Sequence, residues 1–186
     1  MSKERISNAT LLIIDVQKGF DNEIWGTRNN LDMEANLSRI LEHWRGLGRA
    51  VVHVQHCSVE PNSPLRPGLP GCQFKDEVRP MDGEPVYQKI VNSAFIGTTL
   101  EEDLKKSGIR ELIIVGLTTN HCISTTARMA GNLGFETFVV SDATATFDRI
   151  GPDGTHYSAE QIHEISLASL HNEFATVVDT DSVIAS

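Results

Sequence analysis

Three side chains suited to covalent acyl transfer each follow an apolar run in this 186-residue chain. Asp15 closes Leu11-Leu12-Ile13-Ile14, Lys89 closes the weaker run Pro85-Val86-Tyr87-Gln88, and Cys122 ends Gly116-Leu117-Thr118-Thr119-Asn120-His121-Cys122, which follows Leu112-Ile113-Ile114-Val115. A thiol supplies a nucleophile, a carboxylate can carry its proton, and an ammonium favours either anion. Singly, each has a plainer reading. A lone cysteine is commonly a small buried hydrophobe, an aspartate after a strand can cap a helix, and a lysine is usually solvated. Their shared placement joins them, because ligands of an open parallel sheet bind beyond the carboxyl ends of its strands. A cysteine that opens a helix near a lysine is also expected to ionise below the ordinary thiol range.

Other constellations carry less. His53, His56, Cys57 and Cys72 gather near one strand end and could ligate zinc. They lack C-x-x-C or H-E-x-x-H spacing, and His53 should point away from its strand neighbours, so no metal is expected. No glycine-rich phosphate loop follows any strand, so no nucleotide or other cofactor is expected. Prolines at 61, 64, 67 and 70 match P-x-x-P spacing, but within a domain they read as a stiff surface loop bordering a site.

The elements that must position these groups are legible from periodicity. Leu11–Ile14, Ala50–Val54, Leu112–Val115, Thr137–Val140 and Ala175–Val178, with Pro85–Gln88 as a weaker sixth, are continuous apolar runs. Strands covered on both faces look like this. Met33, Leu37, Ile40, Leu41 and Trp44 form one helical stripe that stops near Gly46-Leu47-Gly48. Thr98/Glu101 and Ser158/Gln161 are capping-box patterns, the second preceding Ile162, Ile165 and Ser169; Cys122–Leu133 reads as a helix ended by Gly134. Alternating strands and helices predict a parallel sheet with helices on both faces, in one domain over residues 1–186.

Composition sets the outer bounds. With 16 Lys+Arg against 25 Asp+Glu the net charge is −9, and no basic cluster is present to meet a phosphate backbone, so nucleic acid is not the expected partner. No apolar run approaches the ~20 residues of a membrane span. The start Met1-Ser2-Lys3-Glu4-Arg5-Ile6 does not resemble a secretory signal, and three cysteines cannot all pair within one chain. A cytoplasmic location without membrane attachment is the expectation.

In combination the motifs resemble the isochorismatase-like cysteine hydrolases, the superfamily of nicotinamidases, N-carbamoylsarcosine amidohydrolase and isochorismatase. The resemblance runs from about Thr10 to Val178 and rests on residues 12–20 (LIIDVQKGF), 88–95 (QKIVNSAF) and 116–128 (GLTTNHCISTTAR). It implies a three-layer α/β/α sandwich around a six-stranded, mainly parallel sheet of Rossmann-like order, and a catalytic triad of Asp15, Lys89 and Cys122. It further implies a non-proline cis peptide between Leu117 and Thr118, turning the Thr118 N–H toward the Cys122 N–H as an oxyanion hole. Phe20 matches a position that lines the pocket in relatives, and Phe147 is a second candidate wall. Metal-binding nicotinamidases carry an Asp-x-His pair where this chain has His56-Cys57-Ser58. That departure points to metal-free relatives acting on linear amides, ureides or carbamoyl groups. Isochorismatase-type ether hydrolysis and a non-enzymatic redox thiol are the alternatives. Family habit implies a homodimer or higher homo-oligomer.

Overall fold

The computed structural model describes Ile6 and residues 8–186; apart from Ile6, the N-terminal segment read for a secretory signal lies outside the described residues. The strands are β1 Thr10–Ile14, β2 Val51–His56, β3 Val86–Lys89, β4 Glu111–Leu117, β5 Glu136–Ala145, β6 Arg149–Ile150, β7 His156–Tyr157 and β8 Thr176–Val178. Six of them form one sheet in the order β3-β2-β1-β4-β5-β8, parallel at every step, while β6 and β7 make a small antiparallel ribbon. The helices are α1 Met33–Gly46, α2 Leu100–Lys106, α3 Ser124–Asn132, α4 Ala159–Leu170 and α5 Thr180–Ile184.

The alternation of side chains along β1 divides the core. Leu11 and Ile13 pack with the α1 stripe Met33, Leu37, Ile40, Leu41 and Trp44 and with Val183 of α5. Leu12 and Ile14 face the other way, toward Leu100 and Leu104 of α2, Ala127 and Ala130 of α3, and Leu167 and Leu170 of α4. Both faces are covered, which is why every β1 residue is apolar or buried. The layers are therefore helix, sheet and helix.

Two helix readings shift. The capping box of α4 forms as the spacing predicts, but its buried stripe is Ala159, His163, Leu167 and Leu170, and Ile165 points to solvent. His163 takes the inward position because its ring hydrogen-bonds Thr119. At α2 the cap residue is Thr99, not Thr98; Thr98 donates to Ala94 O, and Glu101 pairs with Lys105 instead of closing a box. The proline-rich stretch is a loop ending in a 3-10 turn at Pro70–Cys72, seated on the turn at Lys18–Asp21. Its contact is backbone on backbone: a Cβ on Gly71 would meet Pro64 O at 2.3 Å and Gly19 Cα at 3.0 Å.

Strand order reverses between β1 and β4, where successive connections leave in opposite directions, and the sheet opens a crevice there. Gly116 sits opposite Ile14 in that pair at φ +116°, and a Cβ would lie 2.0 Å from Ile14 O. The register between β4 and β5 also shifts between Ile114 and Gly116. Gly116→Ala should therefore destabilise the protein by about 3 kcal/mol or more. Urea unfolding measures this, and an unchanged midpoint would contradict so close an approach of β1 and β4.

Candidate active site

Asp15 is the first residue past β1 and has φ 55°, a left-handed conformation uncommon outside glycine. Its N–H still donates to Val54 O at 2.9 Å, so the strand remains bonded to β2 while the chain turns. Lys89 is the last residue of β3, opposite His56 in the β2–β3 register. Cys122 lies in a π-helical turn, Thr119–Ile123, entered through a cis Leu117–Thr118 peptide and continuing into α3. His163 braces that turn from behind through a 2.8 Å contact between its Nδ1 and Thr119 Oγ1.

These connections bring three residues from distant parts of the chain to one point. Lys89 Nζ lies 2.6 Å from Asp15 Oδ2, 3.3 Å from Cys122 Sγ and 3.2 Å from His56 Nδ1. The ammonium is 1 % exposed and the carboxylate wholly buried, so this ion pair is shielded from water. Asp15 Oδ1 has no hydrogen-bond partner among the described residues, which leaves it open as an acceptor. Asp15, His56 and Cys122 also place ligand atoms within 4.8 Å of one another, a set able to hold a metal ion. The Lys89 ammonium already gives the same three residues a shared cation.

Electrostatics here run against the expectation of an acidic thiol. Burial of Cys122 and the charge of Asp15 push its pKa up; Lys89 pulls it down but does not win. One cation serves two potential anions, and the carboxylate holds it at the shorter distance. The thiol is thus protonated at rest. His56 is held below the ordinary histidine range by burial and by Lys89, and His121 by burial and by Arg149, so both rings are neutral at pH 7.

A cavity of about 330 Å³ opens over the thiol. Phe20, Trp25 and Leu65 form apolar walls, while Thr118, Asn92, His56 and Arg149 supply polar ones. Phe20 therefore lines the cavity, as read from the sequence. Phe147 does not. It stacks behind Phe20 and Trp25 with ring centroids 6.2 and 6.0 Å away and belongs to the core. The Leu117 side chain is likewise in the core, and only its peptide unit reaches the site. Sequence reading left His56, Asn92, Trp25 and Arg149 unassigned. His56 had a signal, since a strand continuing to residue 56 sets it beside Lys89. Arg149 had none, because it follows the long β5 and reaches the site only through the β6–β7 ribbon.

Comparisons with known proteins bear on this arrangement. The family model for the isochorismatase domain matches residues 9–182. The isochorismatase family protein YrdC of Bacillus subtilis (strain 168) is 53 % identical over 174 residues, covering 94 % of this chain and 93 % of its own. Nicotinamidase 3 of Arabidopsis thaliana is 31 % identical over 191 residues, covering 94 % and 86 %. A crystal structure assigned to the isochorismatase family of hydrolases, from Chromobacterium violaceum ATCC 12472, superposes with a TM-score of 0.93 at 43 % identity, covering 96 % and 92 %.

The shared cation makes a counterintuitive prediction. Asp15→Asn removes the charge that pushes Cys122 up and leaves the Lys89 charge that pulls it down. Thiolate absorbance near 240 nm should therefore rise at a lower pH in the variant than in the unsubstituted protein, with burial acting on both. A rise at the same pH in both forms would show that the Asp15 charge does not act on the thiol.

Proposed function

The chain belongs to the isochorismatase family, and from that premise we propose that it is a cysteine-dependent hydrolase of carbon–nitrogen bonds in small amides, ureides or carbamoyl compounds. The observation that carries the reading is the single Lys89 ammonium in contact with both a carboxylate and a thiol, all three excluded from bulk water. The name of the nicotinamidase relative points to the same bond class.

Chemistry in this site has to conserve local charge. As Cys122 Sγ attacks a planar carbonyl carbon, its proton passes to Asp15, whose Oδ1 is free to accept it. Negative charge then leaves the carboxylate as it develops on sulfur and on the carbonyl oxygen, and Lys89 neutralises it without moving. The oxyanion is assigned to the backbone N–H groups of Thr118 and Cys122, the pair that the sequence resemblance implies. Asp15 next hands its proton to the departing amine, which leaves a thioester on Cys122. Regenerated as a carboxylate, Asp15 draws a proton from water as its oxygen adds to the thioester carbonyl; the C–S bond then breaks, the acid is released, and the proton passes from Asp15 back to Cys122 Sγ.

Phe20 and Trp25 offer aromatic faces, 5.1 Å apart and tilted by 36°, to a flat amide or ureide group. Arg149 lines the cavity with its Nη1 on Asp148 O and the Asp148 charge nearby, and it offers its guanidinium to a carbonyl or carboxylate end of the substrate. The small cavity favours compact molecules over polymers.

An ammonia-release screen over primary amides, ureides and N-carbamoyl amino acids tests the reading. Activity should fall by about 10³-fold or more in Cys122→Ala, with losses of similar order in Lys89→Met and Asp15→Asn while the fold persists. Turnover that survives in folded Cys122→Ala would refute the nucleophile. Activity should also persist after dialysis against a strong chelator. Lys89 supplies the fixed positive charge, and His56 and Ser58 stand where metal-dependent relatives carry Asp and His. Loss of activity restored only by zinc, iron or manganese would overturn that expectation.

A further inference from the structure

Two thiols take no part in the chemistry above, and the fold sets them side by side. Cys57 directly follows β2, and Cys72 ends the 3-10 turn Pro70–Cys72. Both are free and buried, retaining 8 % and 6 % exposure. They line one cavity of about 310 Å³, separate from the active-site cavity, together with Gln55, Leu69, Gln73 and Gln88.

Two amides, Gln17 buried and Gln55 half-buried, tie the segments that carry the thiols together. Gln17 Nε2 donates to Cys72 O at 2.8 Å and to His56 O at 3.0 Å, and lies 3.7 Å from Cys72 Sγ. Gln55 Nε2 donates to Cys72 O at 2.7 Å, while Gln55 Oε1 lies 4.0 Å from Cys57 Sγ. Cys72 Sγ is also 3.8 Å from His56 O, the carbonyl of the residue before Cys57. Burial of Cys72, together with the neighbouring Cys57, pushes the Cys72 thiol up to about 11.

The chain between them is the proline-rich loop, which carries Ser58, Glu60, Ser63 and Leu65 of the active-site wall. We propose that Cys57 and Cys72 form an oxidisable dithiol whose disulfide, made by a peroxide, closes that wall into a covalent ring. In the first step the Cys57 thiolate attacks a peroxide oxygen, breaks the O–O bond and becomes a sulfenic acid, releasing an alcohol or, from hydrogen peroxide, water. Cys72, as the adjacent resolving thiol, then displaces the sulfenic hydroxyl as water and forms the S–S bond. Two thiols lose two electrons and two protons, and one peroxide is reduced. The ring fixes the loop ends beside His56 without touching Asp15, Lys89 or Cys122.

The test uses the full-length chain, treated with a small excess of hydrogen peroxide, quenched with N-ethylmaleimide and mapped by mass spectrometry without reduction. The expected product is a Cys57–Cys72 cross-linked peptide with Cys122 still free to alkylate, reversed by dithiothreitol. The bridged form should melt about 5 °C higher than the reduced form, as expected for a short closed loop, and should resist proteolysis within residues 58–71. Cys57→Ser and Cys72→Ser should each abolish the cross-link and the shift; the oxidised and reduced wild type give the same comparison should a variant fold poorly. Cys57 and Cys72 both remaining alkylatable in the folded protein would overturn the proposal. So would a bridge that joins Cys122 instead, or one that forms only in urea. The readout is covalent mass, so it stands or falls separately from the hydrolase reading.

Discussion

A lysine buried to 1 % exposure survives only if its charge is matched and its three protons are received. Lys89 meets both conditions through Asp15 Oδ2, His56 Nδ1 and Cys122 Sγ, and those acceptors come from the ends of β1 and β2 and the turn after β4. The sheet order follows the same demand. From β3 to β1 is two strand spacings, about 9.6 Å, so a long side chain has to reach past β2 to meet the carboxylate. His56, the residue it passes, becomes its third partner. Removing any one acceptor leaves a buried charge less than fully matched, which couples the stability of this corner to its chemistry.

The same geometry sets the charge balance around the thiol. A cysteine beside a lysine suggests a preformed thiolate, but here the lysine is already committed to a carboxylate at shorter range. The local charge is balanced with the proton on sulfur. In the reaction proposed above, attack is an exchange in which Asp15 loses the negative charge as sulfur gains it, around a cation that stays in place. Buried sites favour such steps, because moving net charge in a medium of low polarity is far costlier than passing a proton between neighbours.

The surrounding chain fixes where Asp15, Lys89 and Cys122 sit. Asp15 turns out of β1 in a left-handed conformation, Gly116 lets β4 approach Ile14 without a Cβ, and His163 reaches from α4 to brace the turn that bears Cys122. Gln17, two residues past Asp15, binds His56 and Cys72 together. The proline-rich loop is thereby anchored to the segment that follows β1 and carries Asp15.

Much of this was legible before folding was considered. Runs such as Leu112–Val115 report strands covered on both faces, the Met33–Trp44 stripe reports a helix on one side, and the motifs around Asp15, Lys89 and Cys122 report which residues meet. Those signals are local, arising from period and neighbour identity. Other features depend on contacts between residues remote in sequence. Phe147 falls in the core because Phe20 and Trp25 lie in front of it, and the inward stripe of α4 is set by His163 finding Thr119. His56 joins the site through its partner across the β2–β3 pair. Residue type, spacing and the family resemblance pointed to the fold class and to Asp15, Lys89 and Cys122 as residues that meet. The protonation of the thiol, the walls of the cavity and the pairing of Cys57 with Cys72 were decided by tertiary structure, because each depends on distance and on exclusion of water, which no linear pattern records.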